Sequence, residues 1–229
     1  MTPKVLFISI STLLFIGVGI FFMINTRNTQ TGGAAEVTTP VNEKNIVLAA
    51  FGDSLTAGYG VTLEESYPSL LEARLKEEGI NVTILNMGVS GETSAAGKDR
   101  TGFVLDQKPD IILLGLGAND MLRSLPVAST RENLEKIIQD LQGSGVKIVL
   151  LGMKSTVTNG LSYKREFDQI YEDLAKKYSL PLVPFFLEDV ALVSELNTSD
   201  GIHPNKAGYQ IIVDDNIIPV LLPFIKKNF

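Results

Sequence analysis

No cysteine and no tryptophan occur among the 229 residues, and His203 is the only histidine. The lack of cysteine excludes a disulfide framework, a thiolate metal site and a cysteine nucleophile. A single imidazole excludes a multi-histidine metal centre and leaves one histidine for general-base work. Runs of lysine or arginine are also missing, and the net charge is −6. Lys4, Arg27 and Lys44 against Glu36 and Glu43 leave residues 1–44 at +1, so the remainder carries about −7. So acidic a domain, without basic clusters, is a poor partner for phosphate backbones, and no nucleic-acid partner is expected.

What the chain does have begins with Val5–Ile24, a stretch of 20 residues without a charge. At about 1.5 Å per residue it reaches roughly 30 Å, the thickness of a bilayer's hydrocarbon core. A cleaved signal has a shorter apolar core, of about 7–15 residues, and a small-residue site close behind it. Here the nearest small cluster, Gly32-Gly33-Ala34-Ala35, lies well beyond the run. Residues 1–24 are therefore expected to be a membrane anchor rather than a cleaved signal, with the amino end inside. Residues 25–44 have no hydrophobic period and read as a flexible linker, reaching about 25 Å on average. A single folded domain is expected over residues 45–229.

Inside that domain apolar strand runs alternate with helical patterns. Strands are expected at Ile46–Phe51, Val82–Leu85, Ile111–Leu116, Val146–Leu151 and Leu180–Val183. Helices are expected at Leu63–Glu78, Thr93–Leu105, Thr130–Leu141, Ser162–Tyr178 and Lys206–Lys227, the last disturbed at Pro219. This alternation predicts an α/β fold, a parallel sheet with helices on both faces joined by right-handed crossovers.

Four short segments then fall into place. Gly52-Asp53-Ser54 follows the first strand, Asn86–Thr93 the second, and Gly115-Leu116-Gly117-Ala118-Asn119-Asp120 the third. In a parallel sheet all three emerge on the carboxyl edge, where ligands bind. The fourth, Asp200-Gly201-Ile202-His203-Pro204-Asn205, precedes the last helix. A serine hydroxyl becomes a nucleophile when a base takes its proton, commonly a histidine oriented by a carboxylate. Asp200 stands three residues before His203, a spacing that suits one turn, and Pro204 restricts the backbone of His203. An oxyanion needs donors, which the backbone N–H groups of Ser54 and Gly91 and the side-chain amide of Asn119 can supply. Singly, each residue has an ordinary structural use: Ser54 a helix cap, Gly88 and Gly91 turns, Asn119 the cap of a helix starting at Asp120. Together and in order they favour catalysis. Asp53 reads as an acceptor bracing the loop, because two isolated carboxylates, Asp53 and Asp120, are too few for a metal. The Gly-x-Ser-x-Gly elbow, the dinucleotide fingerprint and the P-loop are all absent.

From Ile46 to the C-terminus the chain resembles the SGNH (GDSL) hydrolase family. Its blocks match as Gly52-Asp53-Ser54-Leu55, Gly91, Gly117-Ala118-Asn119-Asp120 and Asp200-Gly201-Ile202-His203-Pro204. Ser54–Tyr59, Ser90–Ser94 and Pro184-Phe185-Phe186 are similar to the single-domain bacterial periplasmic thioesterases, arylesterases and lysophospholipases of that family. The resemblance implies a flavodoxin-like three-layer α/β/α sandwich on a five-stranded parallel sheet. It implies Ser54 as nucleophile, His203 as base, Asp200 as orienting acid, and Ser54, Gly91 and Asn119 around the oxyanion. It further implies hydrolysis of acyl esters or thioesters without a cofactor; no metal is expected, and the enzyme is expected to be a monomer in the cell envelope, on the extracytoplasmic side. Two departures stand out: Ala118 where the family often has glycine, and a polar loop, Lys154-Ser155-Thr156-Val157-Thr158, where relatives grip the acyl chain. A carbohydrate O-deacetylase on the same fold is the alternative; a non-catalytic binding module is disfavoured because no residue of the catalytic set is missing.

Overall fold

The computed structural model describes residues 44–229; the segment expected at 1–24 and the linker up to residue 43 lie outside them. The described residues build a sheet of parallel strands: β1 (Ile46–Gly52), β2 (Val82–Gly88), β3 (Ile111–Gly115), β4 (Lys147–Leu151) and β5 (Leu182–Val183). Their order is β2-β1-β3-β4-β5, every pairing parallel. The middle strands are continuous apolar runs because both their faces are covered, and Leu48 to Phe51 and Ile111 to Leu114 are wholly buried.

The helices are α1 (Ser54–Ala57), α2 (Tyr67–Glu77), α3 (Ser94–Asp99), α4 (Thr101–Leu105), α5 (Ala118–Leu122), α6 (Val127–Gly143), α7 (Leu161–Tyr178), α8 (Lys206–Ile211) and α9 (Ile218–Asn228). Helices α3, α4, α6 and α7 pack together as one layer, and α2, α8 and α9 as another. The result is the three-layer α/β/α sandwich. In this strand order the chain reverses direction across the sheet between β1 and β3, which opens a crevice at their carboxyl ends. The amino end of β1 lies at the opposite edge, where Lys44 pairs with Asp110 at 2.6 Å.

Several boundaries differ from the sequence expectation, each for a local reason. The helix expected from Leu63 starts at Tyr67, after a short 3₁₀ turn at Leu63–Glu65, because Pro68 cannot donate into an earlier helical turn. The helix expected over Thr93–Leu105 breaks at Arg100, whose backbone leaves helical geometry (φ −107°, ψ 10°). The helix expected from Thr130 begins at Val127, directly after Pro126, and the Thr130 hydroxyl is spent on buried Asp120 instead of a cap. β5 is shorter than expected, two residues at a sheet edge. Before Pro219 the last helix widens into a π-turn over Ile212–Ile217, which absorbs the missing proline N–H, and α9 then continues. Lys206–Asn228 is long and apolar enough to cross a membrane, but Ile212, Val213, Ile217, Leu221 and Ile225 bury it in the core.

β2 runs past the expected Leu85 to Gly88, which corrects the turn reading of that glycine. In the sheet register Gly52 pairs with Gly88 on one side and Gly115 on the other, a row of three glycines across the carboxyl edge. At Gly52 and Gly88 a side chain is excluded because α1 folds back immediately over the strand ends. A Cβ on Gly88 would lie 2.1 Å from the Ala57 nitrogen, and one on Gly52 2.1 Å from Thr56 Oγ1.

Candidate active site

Ser54 opens α1 with only Asp53 between it and the end of β1, so its hydroxyl stands at the crevice. Asp53 caps that helix: its Oδ1 accepts from the Leu55 N–H at 3.0 Å. The opposing loop is closed by the Thr198 N–H donating to the His203 carbonyl (2.7 Å) and the Asn205 N–H donating to that of Leu196 (2.9 Å). Within this loop Asp200 Oδ1 accepts from the backbone N–H groups of Ile202 (2.9 Å) and His203 (3.0 Å). Its Oδ2 lies 2.7 Å from His203 Nδ1, and His203 Nε2 lies 2.8 Å from Ser54 Oγ. Thus the three residues named from the sequence form one hydrogen-bonded chain, carboxylate to imidazole to hydroxyl.

Partial burial alone would raise the Asp200 carboxyl. The N–H groups of Ile202 and His203, the His203 ring and the Thr198 hydroxyl outweigh it and hold Asp200 well below the usual carboxylate range. An ionised acceptor at Nδ1 fixes the tautomer that presents a bare Nε2 to the serine. Asp53 goes the other way. Burial pushes it up to about 6, against the Leu55 N–H, His203 and Asn119, which all favour its charge.

Asn119 sits inside α5 rather than capping it, since the short helix begins at Ala118 behind Gly117. Its Nδ2 donates to Asp53 Oδ2 at 3.4 Å, which leaves the second amide hydrogen free to face the crevice. Gly91 lies in the turn after β2 at φ +81°, and its carbonyl accepts from Arg123 Nη2 at 2.8 Å. Among the described residues neither the Ser54 N–H nor the Gly91 N–H has an acceptor. No group of three or more His, Cys, Asp or Glu side chains among the described residues is placed to hold a metal ion.

Beside the serine runs a pocket of about 60 Å³ with apolar walls, among them Ala118, Met121, Leu122, Met153, Leu187 and Ile202. Met153, just before the polar loop Lys154–Thr158, contributes to it, and Asn159, just after that loop, donates to the Met121 carbonyl at 2.9 Å.

Two supports were not visible in the letters. Arg100 Nη2 donates to the carbonyls of Gly52 (3.2 Å) and Met87 (2.8 Å), tying the carboxyl ends of β1 and β2 together. Its Nε pairs with buried Glu92 at 2.6 Å, and its guanidinium lies over the Phe51 ring. Asp120 is likewise a brace: it accepts from the Ser94 N–H (2.7 Å), the Ser94 hydroxyl (2.6 Å) and the Thr130 hydroxyl (3.3 Å).

Residues 50–211 match the model of the GDSL-like lipase/acylhydrolase family. The chain belongs to that family. It is a carboxylic-ester hydrolase of the SGNH type. An arylesterase from Vibrio mimicus is 42% identical over 164 residues, covering 71% of this chain and 80% of the relative. Esterase TesA from Pseudomonas aeruginosa is 35% identical over 179 residues, covering 78% and 89%. Among solved structures, AlinE4, an SGNH-hydrolase family esterase, superposes with a TM-score of 0.67 at 44% identity, over 80% of this chain and 96% of its own. The family's blocks fall on the crevice described above: Ser54 after β1, Gly91 after β2, Asn119 after β3, and Asp200 with His203 across from them.

Proposed function

We propose that this chain hydrolyses acyl esters and thioesters through an acyl-Ser54 intermediate. His203 Nε2 takes the Ser54 proton as Oγ attacks the acyl carbon, and the resulting imidazolium is held by ionised Asp200. The negative oxygen of the tetrahedral intermediate is met by the Ser54 N–H, the Gly91 N–H and the free amide hydrogen of Asn119. His203 then protonates the leaving alcohol or thiol. In the second half it deprotonates water, which attacks the acyl carbon and returns Ser54 and the free acid.

The observation that carries this reading is the unbroken chain Asp200 Oδ2–His203 Nδ1, His203 Nε2–Ser54 Oγ at 2.7 and 2.8 Å. The acyl group lies along the Met121, Met153 and Leu187 wall, whose small volume suits chains of a few carbons. Those apolar walls favour acyl chains over acetylated sugar. Arylesterase, thioesterase and lysophospholipase activities, the names its relatives bear, all fit this chemistry. With residues 1–24 as anchor, the enzyme works as a monomer at the membrane, on the extracytoplasmic side.

The test is a fluorophosphonate probe together with a panel of p-nitrophenyl esters of rising acyl length. Ser54 should be the labelled residue, S54A should lose at least about 10⁴-fold in turnover, and short esters should turn over fastest. Wild-type protein that neither labels nor hydrolyses any ester would refute the proposal. Release of acetate from acetylated glycan with no activity on longer acyl esters would replace it with the deacetylase reading.

A further inference from the structure

The Tyr59 ring packs on the His203 imidazole, with centroids 4.7 Å apart and planes tilted by 46°. It is an unusual place for a tyrosine, because 54% of the residue is exposed and its hydroxyl has no partner among the described residues. Nothing in the core holds it there. The backbone does: the Tyr59 N–H donates to the Ser54 carbonyl at 3.0 Å, and glycines at positive φ, Gly58 and Gly60, stand on either side. A Cβ on Gly60 would lie 3.0 Å from Thr198 Cγ2, and Thr198 in turn donates its hydroxyl to Asp200 at 2.9 Å. The turn after the serine and the loop carrying the histidine are therefore one packed unit, with the aromatic ring between imidazole and solvent.

We propose that Tyr59 is a positioning residue for His203, its π-face supporting the imidazole while it carries the serine's proton. The inference rests on the roles given to Ser54 and His203 above. Two carboxylates already face the imidazole: Asp200 in direct contact from its own loop, and buried Asp53 acting over a longer range from the turn before α1. Ser54 occupies Nε2, and Tyr59 covers a side that would otherwise be water. A cation within about 6 Å of an aromatic centroid is attracted by the ring's quadrupole. Because the imidazole takes on the serine's proton as the transition states form, that attraction is largely a transition-state effect and belongs in kcat.

The experiment compares Y59F, Y59L and Y59F carrying two or three ring fluorines, read by steady-state kinetics on p-nitrophenyl butyrate and by fluorophosphonate labelling of Ser54. Y59F should keep wild-type kcat, since the ring and not the hydroxyl is used. Y59L should lose about three- to tenfold in kcat with KM within twofold. Stepwise fluorination, which drains the π-face at constant shape, should lower kcat step by step, and it decides the matter even where the leucine variant folds poorly. Wild-type kcat in Y59L, a loss confined to KM, or indifference to fluorination would each overturn the inference. Those results leave Ser54 labelling intact, whereas an unlabelled wild-type Ser54 would bring down the reading of the site itself.

Discussion

Asp53 Oδ2 accepts from Asn119 Nδ2 across the mouth of the crevice, joining the turn after β1 to the helix after β3. The same carboxylate caps the serine's helix through Leu55. One buried side chain thus braces both Ser54, the proposed nucleophile, and Asn119, the proposed oxyanion donor. Replacing it by asparagine keeps a single acceptor and turns an amide towards an amide. D53N should lower kcat by about 10- to 100-fold with little change in KM, less than the 100- to 1,000-fold expected of N119A. Unaltered kcat in D53N would show that Asn119 needs no such partner.

Asp53 also makes a prediction about pH and stability. Its carboxyl titrates near 6 in the folded protein against an ordinary value of 3.8. Between these values the unfolded chain binds fewer protons than the folded one, so stability falls as pH rises from about 4 to 6, by up to about 3 kcal/mol from this group. Denaturation midpoints across that range should show the decline in wild type and a flatter line in D53N. Asp200 has the opposite sign: its contribution is present above its ordinary value and is lost only in stronger acid, so D200N should leave the slope over pH 4–6 nearly unaltered.

Arg100 and Glu92 test whether strand ends need tying. With 4% of its side chain exposed, Glu92 has little access to water once its partner is removed. R100M should cost about 3–5 kcal/mol, and E92Q/R100M should recover part of it because the uncompensated charge is gone. Urea unfolding of both would check this, and an R100M protein as stable as wild type would contradict it.

The glycine row gives a contrast between two alanine substitutions. G88A places a methyl against the Ala57 backbone, so α1 must lift and Ser54 with it. A loss of about 3 kcal/mol or more is expected, with slower fluorophosphonate labelling. Gly102, exposed in α4 with nothing within 4 Å of its would-be Cβ, has no such constraint. G102A should gain about 0.5–1 kcal/mol and label at the wild-type rate. Equal behaviour of the two would remove the close-approach argument.

The sheet was legible because buried strands announce themselves: Ile46–Phe51 and Ile111–Leu114 are apolar without interruption. Ser54, Gly91 and Asn119 could be expected at one place because parallel topology sends the loops after β1, β2 and β3 to the same edge. The supports escaped notice because they follow no period. Arg100 reaches back to Gly52 across 48 positions, and a helix break at its own position frees it to do so. Arg123 stands one helical turn beyond Asn119, a spacing that hints at a shared face, but its acceptor is a backbone carbonyl that no letter marks. Tyr59 stands between two glycines in the sequence, and only the folded loop brings its ring to the histidine.

The amino end of β1 and the serine crevice lie at opposite edges of the sheet, separated by a strand of seven residues, roughly 23 Å. Lys44 therefore stands at the end of the domain away from its reactive side. A bead or electrode coupled directly at Lys44 should meet the face behind the crevice and leave access to Ser54 unobstructed.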